Sequence, residues 1–144
     1  MPYEEPYSRE FFVLIKNSKY KEVENELRNN RNYLLSFDFL GRTPYHWAIK
    51  LDDFDMLQIL VNFGNYVNQK DYMGNTPLHI VAQKNDLNYC QFLINNGANY
   101  RIHNNNGKRP YELTTNEVIR IYFESLDPEI VDTYRKESIT KNEH

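Results

Sequence analysis

Cysteine is almost absent: Cys90 is the only one in 144 residues. No disulfide can form within the chain, and a reducing compartment is expected. No apolar run approaches the roughly 20 residues that a membrane-spanning helix needs, so membrane insertion is not expected. Glu4 and Glu5 stand near the start, with no long apolar run after them, and this excludes the pattern of a secretory leader. Asparagines are many, yet none opens an Asn-x-Ser/Thr glycosylation site. The expected location is the cytoplasm, with the nucleus as the alternative. A basic stripe is also missing. With a net charge of −3 and charges interspersed along the chain, no nucleic-acid partner is expected.

Chemistry-bearing patterns are scarce as well. There is no Gly-rich phosphate loop, no Cys/His cluster with zinc spacing, and no Ser, His and acid combination that stands out. No cofactor and no metal site are therefore expected, nor an enzyme activity. What the chain does have is aromatic surface, with 12 Tyr and 8 Phe, alongside 40% hydrophobic and 26% charged residues. That is ordinary globular composition. A chain of this length buries roughly 70% of its unfolded surface, so a core forms without a metal or disulfide.

The organising feature is an internal period. Asp38-Phe39-Leu40-Gly41-Arg42-Thr43-Pro44-Tyr45-His46 aligns with Asp71-Tyr72-Met73-Gly74-Asn75-Thr76-Pro77-Leu78-His79 at an offset of 33 residues. Asp, Gly, Thr, Pro and His coincide. A degraded third copy, Asn104-Asn105-Asn106-Gly107-Lys108-Arg109-Pro110-Tyr111-Glu112, keeps Gly107 and Pro110 at the same offset. Downstream, Leu57 to Tyr66 aligns with Cys90 to Asn99, and Gly64 and Gly97 are again 33 apart. One unit earlier the frame falls on Leu27 to Asn32, where the glycine is gone.

Each unit reads as two helices. Thr43 and Thr76 are good N-caps, and Pro44 and Pro77 suit the first helical position. Small Ala48 and Ala82 let neighbouring helices approach. Polar turns follow at Asp52-Asp53 and Asn85-Asp86. Second helices are expected from about Phe54 to Asn62 and from about Leu87 to Asn95, on helical spacing of Phe54, Leu57, Leu60 and Val61 and of Leu87, Cys90, Leu93 and Ile94. Gly64 and Gly97 are placed for left-handed C-terminal caps. Residues 68–74 and 101–107 read as protruding turns.

The ends read as caps. Ser8 opens a helix with Phe11, Phe12, Leu14 and Ile15. The next helix turns Val23 and Leu27 inward and Glu22, Glu24 and Glu26 to water. Thr114-Thr115-Asn116-Glu117 contains a Thr-x-x-Glu capping box before Val118, Ile119, Ile121 and Tyr122. Asp127-Pro128 starts a short helix with Ile130, Val131 and Tyr134, and fraying is expected after about Arg135.

These residues resemble the ankyrin repeat, whose period is about 33 residues and whose signature is Thr-Pro-Leu-His-x-Ala. Thr76-Pro77-Leu78-His79 matches the signature, and Tyr45 replaces its Leu in the preceding unit. The resemblance implies an all-α solenoid of about four stacked helix-turn-helix units. The expected organisation is an N-terminal arm at 1–7 and a repeat domain at 8–126, followed by a short C-terminal helix and tail at 127–144. Within the domain, 8–36 and 103–126 are caps and 37–69 and 70–102 are the middle repeats. It also implies that His46 and His79 hydrogen-bond within and between turns and do not bind metal. Cys90 falls on a core position. Asp52, Asp53 and Asp55 fit a helix N-terminus better than a cation site.

In this resemblance the turn tips and the start of the following helix line a concave binding face. Phe37, Phe39, Leu40, Tyr72 and Met73 are large and apolar where a turn is usually polar, and contiguous exposed apolar surface marks interaction sites. The competing expectation is that Phe39 and Leu40 pack on the N-terminal cap. Arg42, Lys50, Lys70, Asn75, Lys84 and Lys108 fall at neighbouring variable positions and would form a positive rim. The implied function is a non-catalytic adaptor, inhibitor or scaffold that binds an acidic protein or peptide with apolar anchors. One alternative is a regulatory or targeting module of a larger enzyme or membrane protein. Another is a structural subunit of a large assembly, with Tyr66, Tyr89 and Tyr100 buried against other subunits.

Overall fold

The computed structural model describes residues 8–142. The arm placed at 1–7 and the last two residues of the tail lie outside the described residues. Among the described residues every regular element is helical. The first pair is α1 (Arg9–Lys16) and α2 (Tyr20–Asn29), followed by a 3-10 turn at Arg31–Leu35. The middle pairs are α3 (Pro44–Lys50) with α4 (Phe54–Phe63), and α5 (Pro77–Gln83) with α6 (Leu87–Asn95). Then come α7 (Pro110–Leu113), α8 (Glu117–Leu126) and α9 (Pro128–Asn142). The first helices of successive pairs, α1, α3, α5 and α7, pack side by side, and α2 packs on α4. This is a solenoid of four helix pairs closed by one further helix.

Local chemistry starts and stops each helix. Ser8 Oγ accepts the Phe11 N–H and caps α1. Asp53 and Asp86 cap α4 and α6 through the N–H groups of Met56 and Tyr89, at 3.1 and 3.2 Å. One residue in the connection within each of the first three helix pairs is left-handed: Ser18, Asp52 and Asn85 have φ of 53°, 53° and 57°. Asp53 also accepts from the Ser18 and Tyr20 hydroxyls, and Asp52 from the Tyr89 hydroxyl. Asp52 and Asp53 of the acidic run are thus occupied by capping and hydroxyl contacts, and Asp55 lies in the first turn of α4.

The core runs between the two helix layers. Phe12, Leu27, Leu57, Leu60, Leu78, Cys90, Leu93 and Phe123 are fully buried. Burial pushes the Cys90 thiol up to about 12, which leaves it a small apolar core residue. Val23 and Leu27 face inward as expected, and Glu22 is exposed while Glu24 and Glu26 are half-buried.

Three expectations are corrected. Gly97 takes the left-handed conformation, with φ +95°, but Gly64 is extended, with φ 176°. Gly64 is needed for space instead: a Cβ there would lie 2.8 Å from the Tyr66 ring and 2.9 Å from Leu34. The capping box at Thr114 does not form. Asn116 caps α8 by accepting the Ile119 N–H, and the buried Thr114 hydroxyl donates to Asn85 of the preceding repeat. Finally, α9 does not fray after Arg135 but continues to Asn142. Ile130 and Tyr134 are buried one turn apart, the Tyr134 hydroxyl donates to the Tyr111 carbonyl at 2.6 Å, and Arg120 pairs with Glu137 at 3.9 Å. Together these contacts hold the helix beyond its first two turns.

Candidate partner-binding face

Three short hairpin turns precede α3, α5 and α7. In each, the side-chain oxygen of the first residue accepts two backbone N–H groups. Asp38 Oδ1 takes those of Leu40 and Arg42, Asp71 those of Met73 and Asn75, and Asn104 those of Asn106 and Lys108. This Asx geometry explains why Asn replaces Asp in the third copy without loss of the turn. The turns are also tied to one another. Tyr72 N–H donates to the Leu40 carbonyl and Asn105 N–H to the Met73 carbonyl, each at 3.0 Å. Gly41 has φ +74°, and a Cβ there would meet the Tyr72 ring at 2.5 Å and its backbone nitrogen at 2.8 Å. The tips therefore form a fixed ladder.

Two histidines lock this ladder to the helices. His46 Nδ1 accepts from the Thr43 N–H, a donor only, so its proton resides on Nε2 and is donated to the Asn75 carbonyl at 2.8 Å. His79 repeats the pattern with the Thr76 N–H and the Lys108 carbonyl at 2.9 Å. Burial, outweighing the hydrogen bonds to the carbonyls, holds both imidazoles below the ordinary histidine range. They are neutral structural links between repeats, and among the described residues no group of His, Cys, Asp and Glu is disposed to hold a metal ion.

The fixed tips carry apolar side chains into solvent. Phe39 is 80% exposed, Met73 62%, Tyr72 61% and Leu40 45%. Phe37 is half-buried, with its ring edge-on to Tyr72 at 6.4 Å. Among the described residues nothing of the N-terminal cap covers Phe39.

The polar rim is more tied down than the sequence suggests. Arg42 bonds Asp38 at 3.0 Å and lies over the Trp47 ring at 4.5 Å. Asn75 accepts from the Asn104 amide. Lys70 Nζ donates to the His103 carbonyl, Lys84 Nζ to the Ile49 carbonyl, and Lys108 approaches Glu112 at 3.9 Å. Lys50 lies 4.8 Å from the Trp47 ring centre. Sequence reasoning missed Trp47 and Lys16 here, although Lys16 lies 4.3 Å from the same ring. A signal was present: Lys16, Lys50 and Lys84 are successively 34 residues apart, close to the repeat period.

Asp38 is the acidic member of this group. Burial pushes its carboxyl up, but the hydrogen bonds from Arg42, the Trp47 indole and the Leu40 N–H outweigh it and hold it below the usual carboxylate range. The remaining tyrosines divide. Tyr89 is buried on Asp52, Tyr100 is half-buried against Tyr111, and of the three only Tyr66 is exposed.

Comparison with known proteins gives a consistent family. No curated protein matches the chain. Among solved structures, the chain is similar to the ankyrin repeat domain of Bcl-3, described as a unique member of the IkappaB protein family. The TM-score is 0.70 and the identity 22%, over 74% of this chain and 46% of that one. The chain thus spans just under half of that chain, and the likeness is one of fold. The family model for ankyrin repeats, in three copies, matches residues 11–109. With the repeated Thr-Pro caps, the histidine links and the stacked turns on the page, the chain belongs to the ankyrin-repeat family.

Proposed function

We propose that the chain is a non-catalytic protein-interaction module, an adaptor, inhibitor or scaffold, that holds a protein partner against its turn tips and inner helices. Ankyrin repeats are in general protein-protein interaction modules and not enzymes. The observation that carries the reading is the exposure of Phe39, Leu40, Tyr72 and Met73 on backbone that is already fixed. Burying apolar side chains carried on a backbone that is already ordered gains area without the cost of ordering the turns. The partner is an acidic protein or peptide with apolar anchors that fill the spaces between the tips. No nucleic acid, cofactor or metal takes part. Among the described residues no helix is long and apolar enough to cross a membrane, and the proposed location is the cytoplasm, with the nucleus as alternative. The assembly-subunit reading has less support, because Tyr89 and Tyr100 are used inside the fold.

The test compares the wild type with a Phe39→Ser, Tyr72→Ser, Met73→Ser variant in affinity capture from source cells. These exposed positions cost little stability when changed, within roughly 0.5 kcal/mol each. The two proteins therefore have equal helicity. A partner held by the wild type and lost by the variant supports the tip face. The same partners on both proteins would place the site elsewhere.

A further inference from the structure

Lys16, Lys50 and Lys84 stand at the C-terminal ends of three successive inner helices, α1, α3 and α5. Position alone has a plain explanation, since cations are favoured at helix C-termini. The surroundings of Trp47 go beyond it. Lys16, Arg42 and Lys50 all lie within 5 Å of the centre of that one ring, at 4.3, 4.5 and 4.8 Å. A ring has two faces, so at least two of the three cations share one. A single cation satisfies the quadrupole of a face, and a second meets its like charge.

Asp38 is the carboxylate bonded within this group, and its ion pair is with Arg42 and with neither lysine. Asp38 spends Oδ1 on two backbone N–H groups and Oδ2 on the Arg42 guanidinium and the Trp47 indole. Among the described residues no carboxylate lies within 4 Å of the ammonium groups of Lys16, Lys50 or Lys84. Asp52 and Asp86 share a small cleft with Lys84 and offset part of its charge. Around Trp47, where Lys16, Arg42 and Lys50 gather and Asp38 is the bonded carboxylate, the inner face carries a local positive field in a chain whose net charge is −3.

We infer that Lys16 and Lys50, beside Trp47, and Lys84, which reaches the Ile49 carbonyl next to Lys50, form an anion-reading strip that takes the carboxylates of an extended acidic segment of a protein partner. The inference rests on the proposed binding face and adds what that face reads. Charge complementarity selects the occupant, and helix packing sets its spacing. Neighbouring packed helices lie about 8–10 Å apart. A segment extended as polyproline II advances about 3.1 Å per residue with three residues per turn, so side chains three apart point the same way. Acidic residues about three positions apart therefore meet consecutive lysines. The tips that carry Phe39, Tyr72 and Met73 lie at the other end of the inner helices, about 10 Å away along a seven-residue helix. The segment thus needs an aromatic or aliphatic residue beside its acidic ones.

A library of random linear peptides displayed on phage, selected on three proteins of equal helicity, tests this. The proteins are the wild type, a Lys16→Gln, Lys50→Gln, Lys84→Gln variant, and the Phe39→Ser, Tyr72→Ser, Met73→Ser variant. The wild type selects peptides with Asp or Glu at three-residue spacing next to an apolar residue. The lysine variant keeps the apolar preference, loses the acidic spacing, and binds the wild-type peptides at least about tenfold more weakly at low salt. That gap narrows toward 1 M salt, where the screening length falls to about 3 Å. Trp47 is the only tryptophan. Its emission therefore shifts when a selected synthetic peptide draws the ammonium groups from the ring. If the lysine variant selects the same peptides as the wild type while the tip variant selects none, the strip is wrong and the tip face stands. If neither variant differs from the wild type, or if the wild type selects peptides without acidic residues, the strip is overturned. Loss of selection by neither variant also removes the tip face.

Discussion

The Thr43 N–H and the Asn75 carbonyl belong to different repeats and are joined through one imidazole, that of His46. Truncating it leaves the Thr43 N–H unpartnered and takes from the Asn75 carbonyl one of its two donors, the Asp71 N–H remaining. A buried unpaired group costs about 1–3 kcal/mol, so His46→Ala is expected to lower unfolding free energy by about that much in urea titration, with His79→Ala similar. The same residues set a pH dependence. Burial holds both imidazoles below 6.5, so as pH falls through that value the unfolded chain takes up protons that the folded chain does not. This contribution is full above about 6.5 and is lost progressively as pH falls below it, and a His79→Asn variant shows a shallower decline in thermal melts. The structural role of these histidines was legible because two copies in register made metal binding an unnecessary explanation. Trp47 was not legible: in the alignment it is one variable position on an inner helix. Its importance comes from Lys16, Arg42 and Lys50, which only folding brings together.

At the scale of an element, the hairpin turns differ in how much a glycine matters. Gly41 and Gly107 both have positive φ, at +74° and +73°, but a Cβ at Gly107 meets nothing within 4 Å. Gly107→Ala should cost only the left-handed penalty, about 1–2 kcal/mol. Gly41→Ala adds a clash with the Tyr72 ring and backbone, and is expected to cost clearly more and to disturb the tip that carries Phe39. Chemical denaturation of the two variants side by side gives the ranking, and equal costs would contradict the ladder between tips. The helices and these turns could be read from Thr-Pro and Asp-x-x-Gly signals because their causes are local. Gly64 and Thr114 were misread for the opposite reason. Contacts from Tyr66 and Leu34, and from Asn85 one repeat away, decide their conformations.

Across the whole molecule, a short solenoid stands on its ends. Its C-terminal end is closed by α9, whose Ile130 is buried and whose Tyr134 reaches Tyr111. Ile130→Ala is expected to destabilise by about 2–5 kcal/mol, as for other buried aliphatic truncations. An effect under 1 kcal/mol would mean that α9 is an appendage and that the stack ends at α8. The length of α9 was not legible, since its far half is polar and is held by its anchored first turns and the Arg120–Glu137 pair. The exposed apolar tips of the proposed binding face were legible in the sequence and its charged rim less so, because Arg42, Lys70 and Lys108 have partners within the fold. The measurement that tests the account most directly is site-specific photo-crosslinking with a benzophenone residue placed at position 72, on the tip face, or at position 66, the exposed tyrosine on another face. The account predicts that one partner crosslinks from position 72 and not from 66, and that Phe39→Ser with Met73→Ser abolishes it. Crosslinking from position 66 with none from 72 would contradict it.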